Sequence, residues 1–505
     1  MGLLDRVFRR SENRRGSELP RHPTDVLNLV LCMLSDRDAF TVADACEGVQ
    51  IFGAVGSGKT SGSGAALARC FLAGGFGGLV LTVKPDECAT WERYCAETGR
   101  SDDLVIFSPT QPWRFNFLDY ELKRTGAGAG LTENIVQLFM LALEAGGRSR
   151  ESAGSDPFWN DALKELLRNA VELLALAIGS VSLADIYELI DDAPQSLEQL
   201  ASEEWRRTST CGQALLAAQA TAEANPAKLG DYRQTERYWT KRFPQLAEKT
   251  RSIVVTSFSG LADAFLRDPM RTLFCTGTNI TPEASQRGKI IVLDLPVKEY
   301  NEVGAFAQVL FKLSWQKAIE RRDVNENAMP VFLWADECQY FLTAYDQLYL
   351  TTARSSRACT VYLTQNLPNY YAAFKGQAGR HQVESILGNL STKIFHANGD
   401  PTTNEYAAKT IAQTWQGKMT ATRGASSGNS VGGGMEGKGN VNFGESGGSS
   451  ISEQLAFQVL PQEFTTLATG GTANGLVVEG VVFKSGRVWR ATGTNYLPVV
   501  FHQKA

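Results

Sequence analysis

Val49-Gln50-Ile51-Phe52-Gly53-Ala54-Val55-Gly56-Ser57-Gly58-Lys59-Thr60-Ser61 sets an apolar tetrad directly before a glycine-rich turn. Residues 53–60 fit G-x-x-x-x-G-K-[ST], a phosphate-cradling loop between a strand and a helix. Glycines there let successive backbone N–H groups close on phosphate oxygens without Cβ clashes. Lys59 then reaches the β- and γ-phosphates, and the Thr60 hydroxyl ligates Mg2+. Ser61 to Leu72 reads as a helix whose N-terminal dipole faces the same anion. The pattern assigns Gly53, Ala54, Val55, Gly56, Ser57, Gly58, Lys59, Thr60 and Ser61 to a nucleoside triphosphate, with ATP and Mg2+ as cofactors.

A second stretch completes the chemistry. Val331-Phe332-Leu333-Trp334-Ala335-Asp336-Glu337 is a buried-strand pattern ending in adjacent carboxylates. Asp336 is placed to hold Mg2+ or its water shell, and Glu337 to polarise an attacking water. The pair favours hydrolysis over a kinase or a slow switch. Next, Cys359 to Thr364 reads as another strand, ending at Gln365 and preceded by Arg354 and Arg357. If this strand lies between the two phosphate-motif strands, Gln365 can sense the γ-phosphate. Either arginine can serve as a finger on a neighbouring subunit's nucleotide or form a surface ion pair.

The remaining strand candidates are Leu79–Val83, Leu104–Phe107, Lys289–Leu295 and Lys393–Ala397. The segment 303–322 carries apolar residues at Phe306, Val309, Leu310 and Leu313, the spacing of a helix packed on a sheet. The alternation predicts an α/β fold with a mostly parallel sheet flanked by helices. Residues 121–268 read as helical throughout and form an inserted all-α domain. Residues 41–120 and 269–505 then make up the nucleotide-binding domain, and 1–40 a basic tail with a short helix. Gly424 to Ser450 is dominated by Gly, Ser and Asn and reads as a mobile loop, with Lys438 a candidate pore or partner contact. Residues 475–492 read as strand-turn-strand about Lys484-Ser485-Gly486.

Composition narrows the class. The chain has 505 residues, 43% apolar and 21% charged, so two or three domains of an ordinary globular protein are expected. A net charge of −4 leaves no overall footprint for nucleic acid, although a channel needs only a locally basic lining. Nine scattered cysteines and four histidines offer no zinc or disulfide framework, consistent with a cytoplasmic chain. No apolar run reaches the 18 residues of a membrane span, which leaves a peripheral position at the inner face of the membrane through a partner.

In this order, Lys59-Thr60, Asp336-Glu337, Arg354 and Gln365 resemble the type IV secretion coupling proteins of the TraG/TraD type, within the HerA/FtsK group of RecA-like P-loop ring ATPases. Leu79 to Glu87 looks like that family's second strand with its lysine, Lys84. Phe115-Asn116-Phe117-Leu118-Asp119 is similar to its Asn-Pro-Leu stretch, and Asp156-Pro157-Phe158-Trp159 to the start of its all-α domain. Leu460-Pro461-Gln462-Glu463-Phe464 resembles its closing segment. The resemblance implies a hexamer, nucleotide at subunit interfaces, DNA moved sequence-independently through a central channel, and relaxase, relaxosome or secretion-channel partners. Thr82 stands where the family commonly has an acid, Phe117 replaces proline, and Arg357 replaces the commoner glycine. No membrane helices lead the chain. Two other readings use the same motifs: a HerA-like motor serving a separate nuclease or effector, and a nucleotide-gated assembly module.

Overall fold

The computed structural model describes residues 26–146, 157–374, 376–427 and 443–503. Thirteen strands are described. β1 (Val30–Met33) and β2 (Ala39–Thr41) form a small antiparallel hairpin. The central sheet takes β3 (Val49–Phe52), β4 (Gly77–Leu81), β5 (Leu104–Phe107), β6 (Ile290–Leu293), β7 (Val331–Ala335), β8 (Ala358–Thr364) and β9 (Thr392–Phe395). β10 (Gln413–Ser427) and β11 (Phe443–Phe457) pair with each other, while β12 (Val477–Lys484) and β13 (Tyr496–His502) extend the central sheet. Its order is β13-β12-β9-β3-β8-β7-β4-β6-β5. From β9 to β5 every pairing is parallel; β12 and β13 are antiparallel additions at one edge.

The parallel strands are continuous apolar runs because helices cover both faces, leaving no solvated side for alternation. Along β7, Val331, Leu333 and Ala335 enter one core while Phe332 and Trp334 enter the other. The first core includes Phe306, Leu310 and Leu313 of the helix Val297–Glu320. The second includes Leu67, Phe71 and Leu72 of the helix Ala65–Ala73 that follows the glycine-rich loop. The mostly parallel α/β fold is therefore present as expected.

Between β5 and β6 the described residues form no strand, and ten α-helices follow one another from Phe117–Lys123 to Met270–Phe274. The segment 121–268 lies inside this run. A bridge between Phe115 and Thr278 ties its two ends together.

Three expectations change. Residues 424–427 and 443–450 are strand, where a structureless loop was expected; 428–442, with Lys438, lie outside the described residues. Glycine and serine can sustain such a ladder because its hydrogen bonds are backbone to backbone and need no buried side chain. Near the start, Val30–Met33 and Ala39–Thr41 form a hairpin where a short helix was expected, while the basic tail at 1–25 lies outside the described residues. After Gly486 the chain does not return at once as a strand. The Asp38 carboxylate accepts from the backbone N–H of Arg490 and Ala491 at 2.8 and 3.0 Å, drawing the segment toward the first hairpin. Pairing resumes only at Tyr496.

Candidate nucleotide site

β8 does lie between β3 and β7. All three strands are parallel, so Gly53, Gln365 and Asp336 emerge side by side at the carboxyl edge of the sheet, where open α/β folds bind ligands. The loop after β3 is rooted on its neighbours: Gly53 N–H donates to Thr364 O (3.3 Å) and Ala54 N–H to Ala397 O (3.0 Å). Gly56 and Gly58 have φ of 75° and 83°, conformations that suit glycine. A Cβ at position 58 would lie 2.4 Å from Val478 Cγ2, so β12 presses against the loop where only glycine fits.

Three side chains converge on Glu337. The Lys59 ammonium lies 3.4 Å from its Oε1. Gln365 Nε2 donates to the same oxygen at 3.1 Å, and Gln339 Nε2 to Oε2 at 3.1 Å. Thr364 Oγ1 in turn donates to Gln339 Oε1 at 2.9 Å and fixes its amide. Burial pushes the Glu337 carboxyl up, but the Lys59 charge and the two amide donors outweigh it and hold the group below its usual range. It is therefore a carboxylate with a base's free lone pairs. Glu337 also has a left-handed backbone (φ 49°, ψ 50°), strain of a kind that collects at functional sites.

Beside it, Thr60 Oγ1 donates to Asp336 Oδ2 at 2.7 Å, and Asp336 Oδ1 accepts from Glu337 N–H at 2.9 Å. These contacts adjoin a pocket of about 240 Å3 whose lining includes Thr60, Lys84, Glu87, Trp91 and Asp336. Burial pushes the Lys84 amine down, but Asp336, Glu87 and Glu337 more than compensate and keep it an ammonium. Burial, then the Asp336 charge, push the Glu87 carboxyl up to about 8.

Behind the loop, Ser63 Oγ lies 2.7 Å from His396 Nε2, and His396 Nδ1 2.8 Å from the Glu479 carbonyl. The carbonyl can only accept, so Nδ1 carries the proton and Nε2 accepts from Ser63. Burial drives this histidine down to about 4, so the ring is neutral.

The two arginines part company. Arg357 is buried, with φ 50°, and donates to the Ala328 carbonyl at 2.9 Å within its own chain. Its guanidinium is engaged inside its own chain, which favours Arg354 of the two as the finger. Arg354 is exposed and pairs with Glu47 at 3.1 Å. It stands before β8 at the amino edge of the sheet, about 20 Å of strand away from Gln365.

Sequence reasoning missed Gln339, Glu87 and His396. Only Glu87 left a legible signal, a carboxylate just beyond an apolar strand next to the Asp336 strand.

Residues 330–461, from the Asp336 strand through the second hairpin, match the family described as the TraM recognition site of TraD and TraG. That segment, about a quarter of the chain, is similar to the TraG/TraD type. No curated protein matches it in sequence. Among solved structures, the bacterial conjugative coupling protein TrwBdeltaN70 in its unbound monoclinic form is similar with a TM-score of 0.59 at 14% identity, over 99% of this chain and 91% of that one. TrwB with the ATP analogue ADPNP gives 0.56 at 14%, over 98% and 92%. TrwB with ADP and Mg2+ gives 0.57 at 14%, over 98% and 91%. The chain thus has the fold of these proteins. Among its described residues no helix is long and apolar enough to cross a membrane.

Proposed function

We propose that this chain is an ATP hydrolase working as an oligomer, a hexamer by analogy, that moves DNA as the coupling ATPase of conjugative transfer. The convergence of Lys59, Gln365 and Gln339 on the Glu337 carboxylate carries the reading, because it supplies a positioned base beside a phosphate loop. TrwB structures with ADPNP and with ADP and Mg2+ support the choice of ATP and Mg2+.

The residues present fit both groups. Gly56 and Gly58 shape a backbone cradle, and the buried Ser57 hydroxyl has no partner among the described residues. Those residues hold no cluster of three histidine, cysteine or acidic side chains suited to a metal. That suits Mg2+, which takes one or two protein oxygens and completes its shell from phosphates and water. Thr60 and Asp336 would hold it. Bound there, Mg2+ neutralises charge on the β- and γ-phosphates. Lys59 then turns from Glu337 to the phosphates. Glu337, freed of that ion pair, orients a water and takes its proton. Gln365 reports γ-phosphate loss to β8, and Arg354 supplies positive charge to the site of the next subunit.

Grip on DNA rests on lysine and arginine against phosphate, so it is sequence-independent and weakens with salt. Relaxosome or secretion-channel partners and a position at the inner membrane face belong to this reading; the match to a TraM recognition segment favours it over a nuclease-linked motor. The domain division at 121 and 268 belongs to it too, with the helical part facing DNA or relaxosome. The test is ATP turnover with and without single- or double-stranded DNA, beside Lys59→Ala and Glu337→Gln. DNA stimulation absent from both variants and reduced by salt is expected. Turnover indifferent to DNA would sink the motor reading.

A further inference from the structure

Glu87 has no place in the mechanism above, yet it lies on the wall of the pocket that Thr60 and Asp336 share. Its two oxygens differ. Oε2 accepts from the Val83 N–H at 2.9 Å, which fixes the side chain across the turn after β4. Oε1 is buried and has no hydrogen-bond partner among the described residues. With Oε2 held by Val83, Oε1 is the oxygen left on the pocket side, and a cation at Thr60 and Asp336 would favour its carboxylate form. Leaving such an acceptor unmet costs about 1–3 kcal/mol. Lys84 lines the same pocket and donates no hydrogen bond to it among the described residues. Trp91 and Trp334 line the pocket as well.

β4 is the neighbour of β7 in register, with Leu81 beside Ala335. The turn after each strand therefore delivers a carboxylate to one spot, Glu87 from one and Asp336 from the other. We propose that Glu87 is a positioning residue for a hydrated divalent cation, its free oxygen accepting a hydrogen bond from the cation's water shell. Thr60 and Asp336 face the same cation. This rests on the reading of Thr60 and Asp336 given above. Groups that orient a metal's surroundings without touching it commonly contribute 10- to 100-fold to its affinity.

The test titrates Mn2+, in place of Mg2+, into the ADP-loaded full chain and follows free Mn2+ by electron paramagnetic resonance. Glu87→Gln keeps an oxygen for Val83 and replaces the free oxygen by an amide NH2 that donates and does not accept, so a merely structural role survives it. Mn2+ binding at least tenfold weaker is expected in Glu87→Gln, recovered in part by Glu87→Asp, with ADP affinity in chelator unchanged. Binding within twofold of the parent, while Asp336→Asn weakens it, overturns this inference alone. If Asp336→Asn also leaves it unchanged, the inference falls together with the metal site. Loss of ADP affinity in chelator would mark Glu87 as a support of the loop and overturn the inference too.

Discussion

The Gln365 amide donates at 3.1 Å to Glu337 Oε1, the oxygen that also faces the Lys59 ammonium. Two contacts on one oxygen make Glu337 a shared acceptor, and either partner can leave only if the other still steadies the carboxylate. Removing Gln365 should therefore misplace the base rather than weaken nucleotide binding. Gln365→Ala is expected to lower single-turnover hydrolysis roughly 100-fold, and Glu337→Gln roughly 100- to 10,000-fold. Fluorescent-nucleotide affinity should stay within about threefold. A matching loss of affinity in Gln365→Ala would show that its role is in binding.

Arg354 and Arg357 sit three residues apart and should fail in different ways. Arg354→Ala is expected to lower turnover about 1,000-fold or more with no change in melting behaviour. Subunits of Arg354→Ala mixed with Lys59→Ala should regain part of it, because one lends the loop and the other the arginine. Arg357→Ala should instead lower stability by about 1–3 kcal/mol through its lost buried hydrogen bond. Absence of recovery in the mixture would remove Arg354 from the site.

Lys312 and Asp346 form an ion pair with no exposed surface, 2.6 Å apart at its closest. The carboxylate also accepts from Gln316, Tyr362 and the Thr343 N–H, at 2.6 to 2.9 Å. Breaking a pair of this kind strands a charge, so Lys312→Met should cost about 3–5 kcal/mol in urea unfolding. Lys312→Met with Asp346→Leu should cost much less than Asp346→Leu and Lys312→Met summed. Additive losses would mean the pair has no coupling.

His396 ties stability to acid. Burial holds its ring at about 4, against 6.5 when unfolded. The unfolded chain therefore binds the extra proton first. Stability from this group is complete above pH 6.5 and drains as pH falls toward 4, by about 3 kcal/mol in all. Denaturant midpoints of the parent and His396→Gln should converge over that window. Parallel pH curves would refute the assignment.

Much of this was legible because the decisive signals are local. The glycine loop, the Asp336-Glu337 pair and seven apolar strands each announce themselves within ten residues. Strand neighbours do not, since crossovers of any length return a strand to any vacancy. Gln365 thus waited on the position of β8. Arg357 looked like a surface residue because lysine-poor turns give no sign of direction; its left-handed backbone explains why glycine is the commoner residue there in the family it resembles. The hairpin of β10 and β11 was opaque for another reason. Its glycines and serines carry no period, and only the pairing of backbone with backbone reveals it.

The loop at Gly53–Thr60 is completed by strands that come much later in the chain: β8 and β9 flank β3, and Val478 of β12 closes on Gly58. A ribosome therefore makes the phosphate loop more than four hundred residues before it makes the wall the loop leans on. A nascent chain halted before Val477 holds every residue of the motif and lacks the β12 wall that closes on Gly58. The shape of the phosphate loop is thus finished by almost the last strand to be synthesised.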